Sequence, residues 1–339
     1  MTRVLVVGAG HNGLVAAIHL AAAGLEVTVL EQAAAPGGAT ASGQVTLPGF
    51  VHDSCAGFAP MAFVTPAISE LGLSVEWVDP PVVMAHPFDD GSAIALHRDV
   101  AATVDSLGPA GAGWAAAMER MLPQAERLAR AIFAPLPPGR DALGLALALG
   151  TATPRWARRL LAPVQTLGLD LFDGDTRATA WLAASAQHSG LPPTTPGSGA
   201  FGFLLQLVGQ SHGWPLPRTG MQALTDALAG RAAAYGARVR CDACVEQVLV
   251  RGGRAAGARL QSGEEIAADA VLTTVSAGVL ARLLPAGALS GRLHRRLARW
   301  RYGTGAFKVD YALSGPVPWT APAARSAGVV HLAGELREL

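Results

Sequence analysis

The chain has 339 residues, half of them hydrophobic and 15% charged, with a net charge of +1; this is room for about two domains and a large core. No basic tract interleaves with aromatics, which argues against a nucleic-acid partner. No apolar run reaches the ~18 residues of a bilayer-spanning helix, and the positive mean hydropathy comes largely from alanine in helical patterns. The first strand begins almost at once, leaving no room for a leader, so a cytoplasmic protein is expected.

The N-terminal forty residues carry the strongest signal. Val4-Leu5-Val6-Val7 reads as a buried strand, Gly8-Ala9-Gly10-His11-Asn12-Gly13 as a turn, and residues 14–23 as a helix closed by Gly24. Each glycine has a physical reason to be there. Gly8 allows the tight exit, Gly10 lets a pyrophosphate approach the backbone, and Gly13 lets helix and strand pack closely. The helix start then offers unpaired N–H groups and the positive end of its dipole to an anion. Residues 26–30 read as a second strand and Glu31 follows the glycines by about 20 residues, the spacing of a dinucleotide fingerprint. A carboxylate at Glu31, with Gln32 behind it, suits ribose hydroxyls and repels a 2′-phosphate.

A second glycine pair, Pro36-Gly37-Gly38-Ala39, follows closely. The glycine turn, the acidic residue and this Pro-Gly-Gly segment together resemble the flavin-dependent family of phytoene desaturases, flavin amine oxidases and pyridine nucleotide-disulfide oxidoreductase-like proteins. The resemblance implies FAD, with Gly37 and Gly38 along its pyrophosphate. Many members place an arginine after the glycines; Ala39 stands there here, so that contact is not carried over. The fold implied is α/β, a Rossmann-type (GR2) FAD-binding domain built from discontinuous segments, with an inserted α+β substrate domain. The segments expected are 1–74 and 214–290 for the flavin domain, and 75–213 and 291–339 for the substrate domain.

Residues 43–55 read as an irregular strand and residues 61–71 as a helix closed by Gly72. His52 and Asp53 are adjacent on a strand, point to opposite faces, and are expected to be structural. Strand patterns at 75–78, 81–88 and 92–97 flank the hairpin signal Asp89-Asp90-Gly91. Asp99 is a helix N-cap, residues 110–134 carry a long helical pattern, residues 135–139 break it, and residues 141–167 are helical again. Relatives touch the membrane through a helical region of the substrate domain, and the apolar run beside Arg155, Arg158 and Arg159 has the composition for peripheral contact. A helix packed on its own domain has it too.

The turn Pro217-Arg-Thr-Gly-Met221 opens a helix over 222–235, followed by strands at 238–240, 245–250 and 255–260. This resembles the family's return to the flavin domain, where the residue matching Val245 meets the adenine and the strand ending at Thr274 lies near the cofactor. Cys241 and Cys244 form a CxxC that sits between strands, which favours small structural residues over a redox pair; a second ligand pair for zinc is missing. Lys308 is the sole lysine against 25 arginines. Residues 301–313 alternate like a strand, and the segment resembles one in flavin amine oxidases whose lysine holds water against the flavin, so Lys308 is the candidate catalytic residue.

The resemblance implies an oxidoreductase that oxidises or desaturates a small apolar, lipid-like substrate by hydride transfer to flavin, with oxygen or a quinone as acceptor. A flavin amine oxidase and a non-catalytic lipid carrier are the alternatives. Family members carry a further C-terminal stretch around the isoalloxazine ring, and nothing before Leu339 resembles it. Weak or no FAD retention by this chain is therefore expected.

Overall fold

The computed structural model describes residues 1–134 and 139–339; of the break expected at 135–139, residues 135–138 lie outside the described residues. The chain forms two compact units. The first comprises Met1–Gly57, Glu70–Glu76 and Pro217–Ala312, the second Phe58–Ser69, Trp77–Leu216 and Leu313–Leu339.

In the first unit, β1 (Arg3–Val7) leads through the glycine turn into α1 (His11–Ala22) and then β2 (Glu26–Leu30). Much later in the chain come α2 (Gln222–Ala234), β3 (Arg238–Arg240) and β4 (Ala270–Thr273). All four strands are parallel, in the order β4-β1-β2-β3. Val4, Leu5, Val6 and Val7 of β1 are all buried, as expected of a central strand covered on both faces. The order reverses between β1 and β4, and ligands of open parallel sheets bind beyond the carboxyl ends of the strands at such a switch point.

A three-stranded antiparallel meander, Val245–Arg251, Arg254–Leu260 and Glu265–Ala267, packs on the sheet through Ala258, Leu260, Leu5 and Leu30. The turn before α2 is held by residues far away in sequence. Asp53 Oδ1 accepts from the Met221 N–H at 2.7 Å and the Ser42 hydroxyl at 2.6 Å, and Ser42 Oγ accepts from the Gln222 N–H at 2.8 Å. Orphan N–H groups of a helix start are thereby satisfied, which gives Asp53 the structural role its position suggests.

The seam expected at 291 falls at 313. The helix Gly291–Ala298 packs on Ala277–Leu283, and Tyr302 Oη lies 2.9 Å from Ser276 Oγ, so this stretch belongs to the first unit. The strand expected over 301–313 is not formed. A strand needs a neighbour's backbone groups; among the described residues none pairs with it, and Phe307, Val309 and Tyr311 stand 94%, 52% and 69% exposed.

The second unit has a small sheet, Val82–Pro87 paired antiparallel with Ala93–Leu96 and parallel with Ala327–Val330. The hairpin turns at Gly91, where φ is +82°. Against the sheet lies a helical layer whose core includes Trp114, Trp181, Phe203 and Trp214, all fully buried. Gln210 of Ser198–His212 crosses this layer, accepting from Trp114 Nε1 and donating to the carbonyls of His97 and Arg98. Prolines and glycines divide the long helical patterns. Residues 61–71 split at Pro66 into Met61–Val64 and Pro66–Ser69, and residues 110–134 contain a 3-10 turn, Leu122–Gln124, between Gly111–Met121 and Ala125–Phe133. The 141–167 region is three helices, Arg140–Leu149, Thr153–Leu161 and Val164–Leu171. Arg159 turns inward there, bonded to Asp170 at 2.7 Å, while Leu143 and Leu147 face outward, 61% and 74% exposed.

Candidate dinucleotide site

Three glycines of the first turn differ in what an added Cβ would meet. At Gly13 it would lie 1.9 Å from the Gly8 carbonyl oxygen, and at Gly8, whose φ is +102°, 2.7 Å from Thr274 Oγ1. Both positions are required by the chain's own packing. Gly10 is different. Its φ and ψ of −69° and 170° suit any residue, and an added Cβ would meet nothing closer than the Gly37 carbonyl at 3.9 Å. Nothing in the protein demands glycine there, whereas a phosphate laid on the backbone would.

The second glycine pair comes to the same place. Gly10 and Gly37 form a parallel bridge, the Gly37 N–H donates to the Ala9 carbonyl at 3.0 Å, and a Cβ on Gly38 would stand 3.2 Å from Gly10 Cα. Thr40 closes this loop. Its hydroxyl donates to the Gly37 carbonyl at 2.8 Å and lies 2.8 Å from Thr225 Oγ1 of α2, both threonines being buried. The first turn of α1 has neither an acidic residue nor a side-chain cap, so its N–H groups and dipole face outward for an anion. His11 opens that turn, and burial pushes its imidazole pKa down. Asn12 beside it is exposed.

Next to this cradle, beyond the ends of β1 and β2, is a cavity of about 290 Å³. Gly8, Glu31, Gln32 and Val245 line it, together with Ala243, Val275, Ser276, Val279 and Leu283. Its size is near the lower end for small-molecule sites, roughly 300 Å³, enough for a nucleoside. Glu31 is only 8% exposed; its Oε2 accepts from the Ala9 N–H at 2.7 Å and its Oε1 from the Ala33 N–H at 2.9 Å. A carboxylate has about four acceptor sites, so two remain for ribose hydroxyls.

The residues present therefore fit an adenosine diphosphate moiety: Ala9, Gly10, Gly37 and Gly38 beside the pyrophosphate, with Glu31, Gln32 and Val245 around the nucleoside. Thr274 serves a different purpose. Its hydroxyl donates to the Val7 carbonyl at 3.0 Å, fastening β4 behind the glycine turn, and the cavity wall passes instead to Val275, Val279 and Leu283. Val279 and Leu283 lie one turn apart on the helix Ala277–Leu283, and Val275 stands just ahead of its N-cap Ser276; their spacing of four is the sequence signal by which they could have been found.

Lys308 is not among the residues lining the cavity. It lies on the exposed segment, ion-paired with Asp310, whose carboxylate also stands 3.4 Å from His52 Nδ1. Cys241 and Cys244 are free thiols. Burial, then the carboxylates of Glu31 and Asp242, pushes the Cys241 pKa up, the reverse of what a reactive thiolate needs. Among the described residues no cluster of three or more His, Cys, Asp or Glu is placed to hold a metal, and no helix is long and apolar enough to cross a membrane.

The sequence profile of the flavin containing amine oxidoreductases matches residues 13–337. A hydroxyneurosporene desaturase of Cereibacter sphaeroides is 33% identical over 281 residues, which is 80% of this chain and 55% of that protein. An all-trans-zeta-carotene desaturase of Myxococcus xanthus is also 33% identical, covering 92% of this chain and 60% of its own. Pyridine nucleotide-disulfide oxidoreductase domain-containing protein 2 of Rattus norvegicus is 28% identical, with 91% and 59% covered. The chain thus spans little more than half the length of these relatives. Among solved structures, a CLA-producing fatty acid isomerase from P. acnes superposes with a TM-score of 0.58 at 15% identity, over 88% of this chain and 64% of that one. Putrescine oxidase bound to putrescine gives 0.55 at 18% identity, over 88% and 63%; both likenesses concern the fold.

Proposed function

Since the chain belongs to the flavin containing amine oxidoreductase family, we propose that it is the FAD-binding part of a phytoene desaturase-like oxidoreductase acting on an apolar, lipid-like polyene. The observation that carries the FAD-binding part of this reading is Gly10, whose backbone and surroundings would accept a side chain, in a cradle shared with Gly37 and Gly38; the carotenoid desaturases among the relatives support the substrate class.

The bound flavin supplies the hydride acceptor. The chain's own residues do the holding. The N–H groups at the start of α1 and the cradle backbone would donate to the pyrophosphate, Glu31 would accept from the ribose hydroxyls, and the apolar wall of Val245, Val275, Val279 and Leu283 would exclude water from the base. Desaturation removes two electrons and two protons from the substrate, and oxygen or a quinone would be the terminal oxidant. Peripheral contact with a bilayer belongs to the same reading, since a polyene dissolves there, and exposed Leu143 and Leu147 support it.

Anaerobic addition of a carotenoid panel and an amine panel to the chain kept in excess FAD tests the proposal. Bleaching of the flavin by polyenes alone is expected. Bleaching by amines alone would make it an amine oxidase, and binding of polyene by the flavin-free chain with no bleaching would make it a carrier.

A further inference from the structure

Residues 270–309 contain seven cationic side chains and no carboxylate. Five of them, Arg292, Arg295, Arg296, Arg299 and Arg301, crowd the helix Gly291–Ala298 and its exit, and all five are exposed. Arginines elsewhere are commonly matched: Arg3, Arg130, Arg159, Arg177, Arg240 and Arg259 each meet a carboxylate. Among the described residues none of these five forms an ion pair. On the helix, Arg292, Arg295, Arg296 and Arg299 fall at i, i+3, i+4 and i+7, one face, where like charges repel. Leu293, Leu297 and Trp300 recur at i, i+4 and i+7 on the adjoining face, and Leu293 and Trp300 are 43% and 57% exposed. A cationic stripe beside an apolar stripe ending in tryptophan is the pattern of an interfacial helix.

We propose that this segment docks the protein on an anionic phospholipid bilayer, the arginines meeting headgroup phosphates while Leu293, Leu297 and Trp300 enter the interface. Charge complementarity selects the partner. A nucleic acid would satisfy the arginines and leave the leucines in water, whereas a bilayer satisfies both stripes. The purpose rests on the reading of a membrane-dissolved substrate; the docking does not, because it needs neither flavin nor substrate. It also differs from the site expected near Arg155, Arg158 and Arg159, where Asp170 already takes Arg159.

Co-sedimentation with vesicles of phosphatidylcholine alone, and of phosphatidylcholine with phosphatidylglycerol, tests this in the absence of substrate. The chain should bind the second kind and not the first, and raising the salt should release it. A surface arginine contributes about five-fold to such binding, so the variant Arg292→Gln, Arg295→Gln, Arg296→Gln, Arg299→Gln should bind more than about a hundredfold more weakly. Its melting temperature should not fall, because repulsion is relieved and no ion pair is lost. No binding of the wild type to the anionic vesicles, undiminished binding by the variant, or binding to single-stranded RNA in place of vesicles would each overturn the proposal. Flavin bleaching by detergent-dispersed polyene reads the functional proposal separately.

Discussion

The Glu31 carboxylate accepts the backbone N–H of Ala9 at 2.7 Å from a side chain that is only 8% exposed. The residue that follows β2 therefore ties down the glycine turn that follows β1, and the pyrophosphate cradle and the ribose end of the site become one rigid object. Replacing Glu31 by Gln should expose this coupling. An amide has one acceptor oxygen, so either the Ala9 or the Ala33 N–H loses its partner, at about 1–3 kcal/mol. The expected result is a lower denaturation midpoint together with weaker FAD binding. Weaker binding at unchanged stability would mean that Glu31 serves the ribose alone.

Gly10 and Gly13 make opposite predictions from the same substitution. Gly13→Ala drives a methyl to 1.9 Å from the Gly8 carbonyl oxygen, and overpacking of that severity should cost about 3 kcal/mol or more. Gly10→Ala has an allowed backbone and room for the methyl, so stability should hold or rise by about 0.5 kcal/mol. Its FAD affinity should drop about tenfold or more, the cost of one charge-assisted contact to phosphate. Thermal melts and flavin titration of the two variants separate packing from ligand recognition.

Acid should weaken the second unit through His331. Burial, then the neighbouring imidazoles of His188 and His86, lowers its pKa to about 3, and its Nε2 lies 3.0 Å from His188 Nε2. The folded protein thus keeps this imidazole neutral while the unfolded chain protonates it near 6.5. The stabilisation is complete above pH 6.5 and is lost progressively as pH falls from there towards 3, by at most about 1.4 kcal/mol per pH unit. Denaturation midpoints measured between pH 7 and 4 should fall, and His331→Gln should flatten the decline.

Lys308 is held by Asp310 on an exposed segment. Lys308→Met should therefore leave FAD affinity and the rate of flavin reoxidation by oxygen within about twofold of the wild type, as surface substitutions generally do. A larger fall in reoxidation rate alone would place the ammonium at the flavin.

What could be read from the sequence was what is local in it. Strand, glycine turn, helix and acidic residue lie within thirty residues, and each position has its own steric reason. The contacts that complete the site are long-range: Thr40 to Thr225, and Ser42 and Asp53 to the turn at Met221 and Gln222, join residues more than 160 apart. No local pattern encodes them. The alternation at Phe307, Val309 and Tyr311 was legible too, but alternation gives a face and not a partner strand. Thr274 illustrates the remaining ambiguity, because a threonine at a strand end beside a glycine turn serves equally to line a cavity or to brace the turn.

The central claim is that this chain builds the adenosine diphosphate end of an FAD site. Competition titration tests it most directly, with FAD fluorescence followed while ADP or riboflavin is added. Displacement of FAD by ADP, with no effect of riboflavin, is the predicted result. Displacement by riboflavin while ADP does nothing would contradict the account.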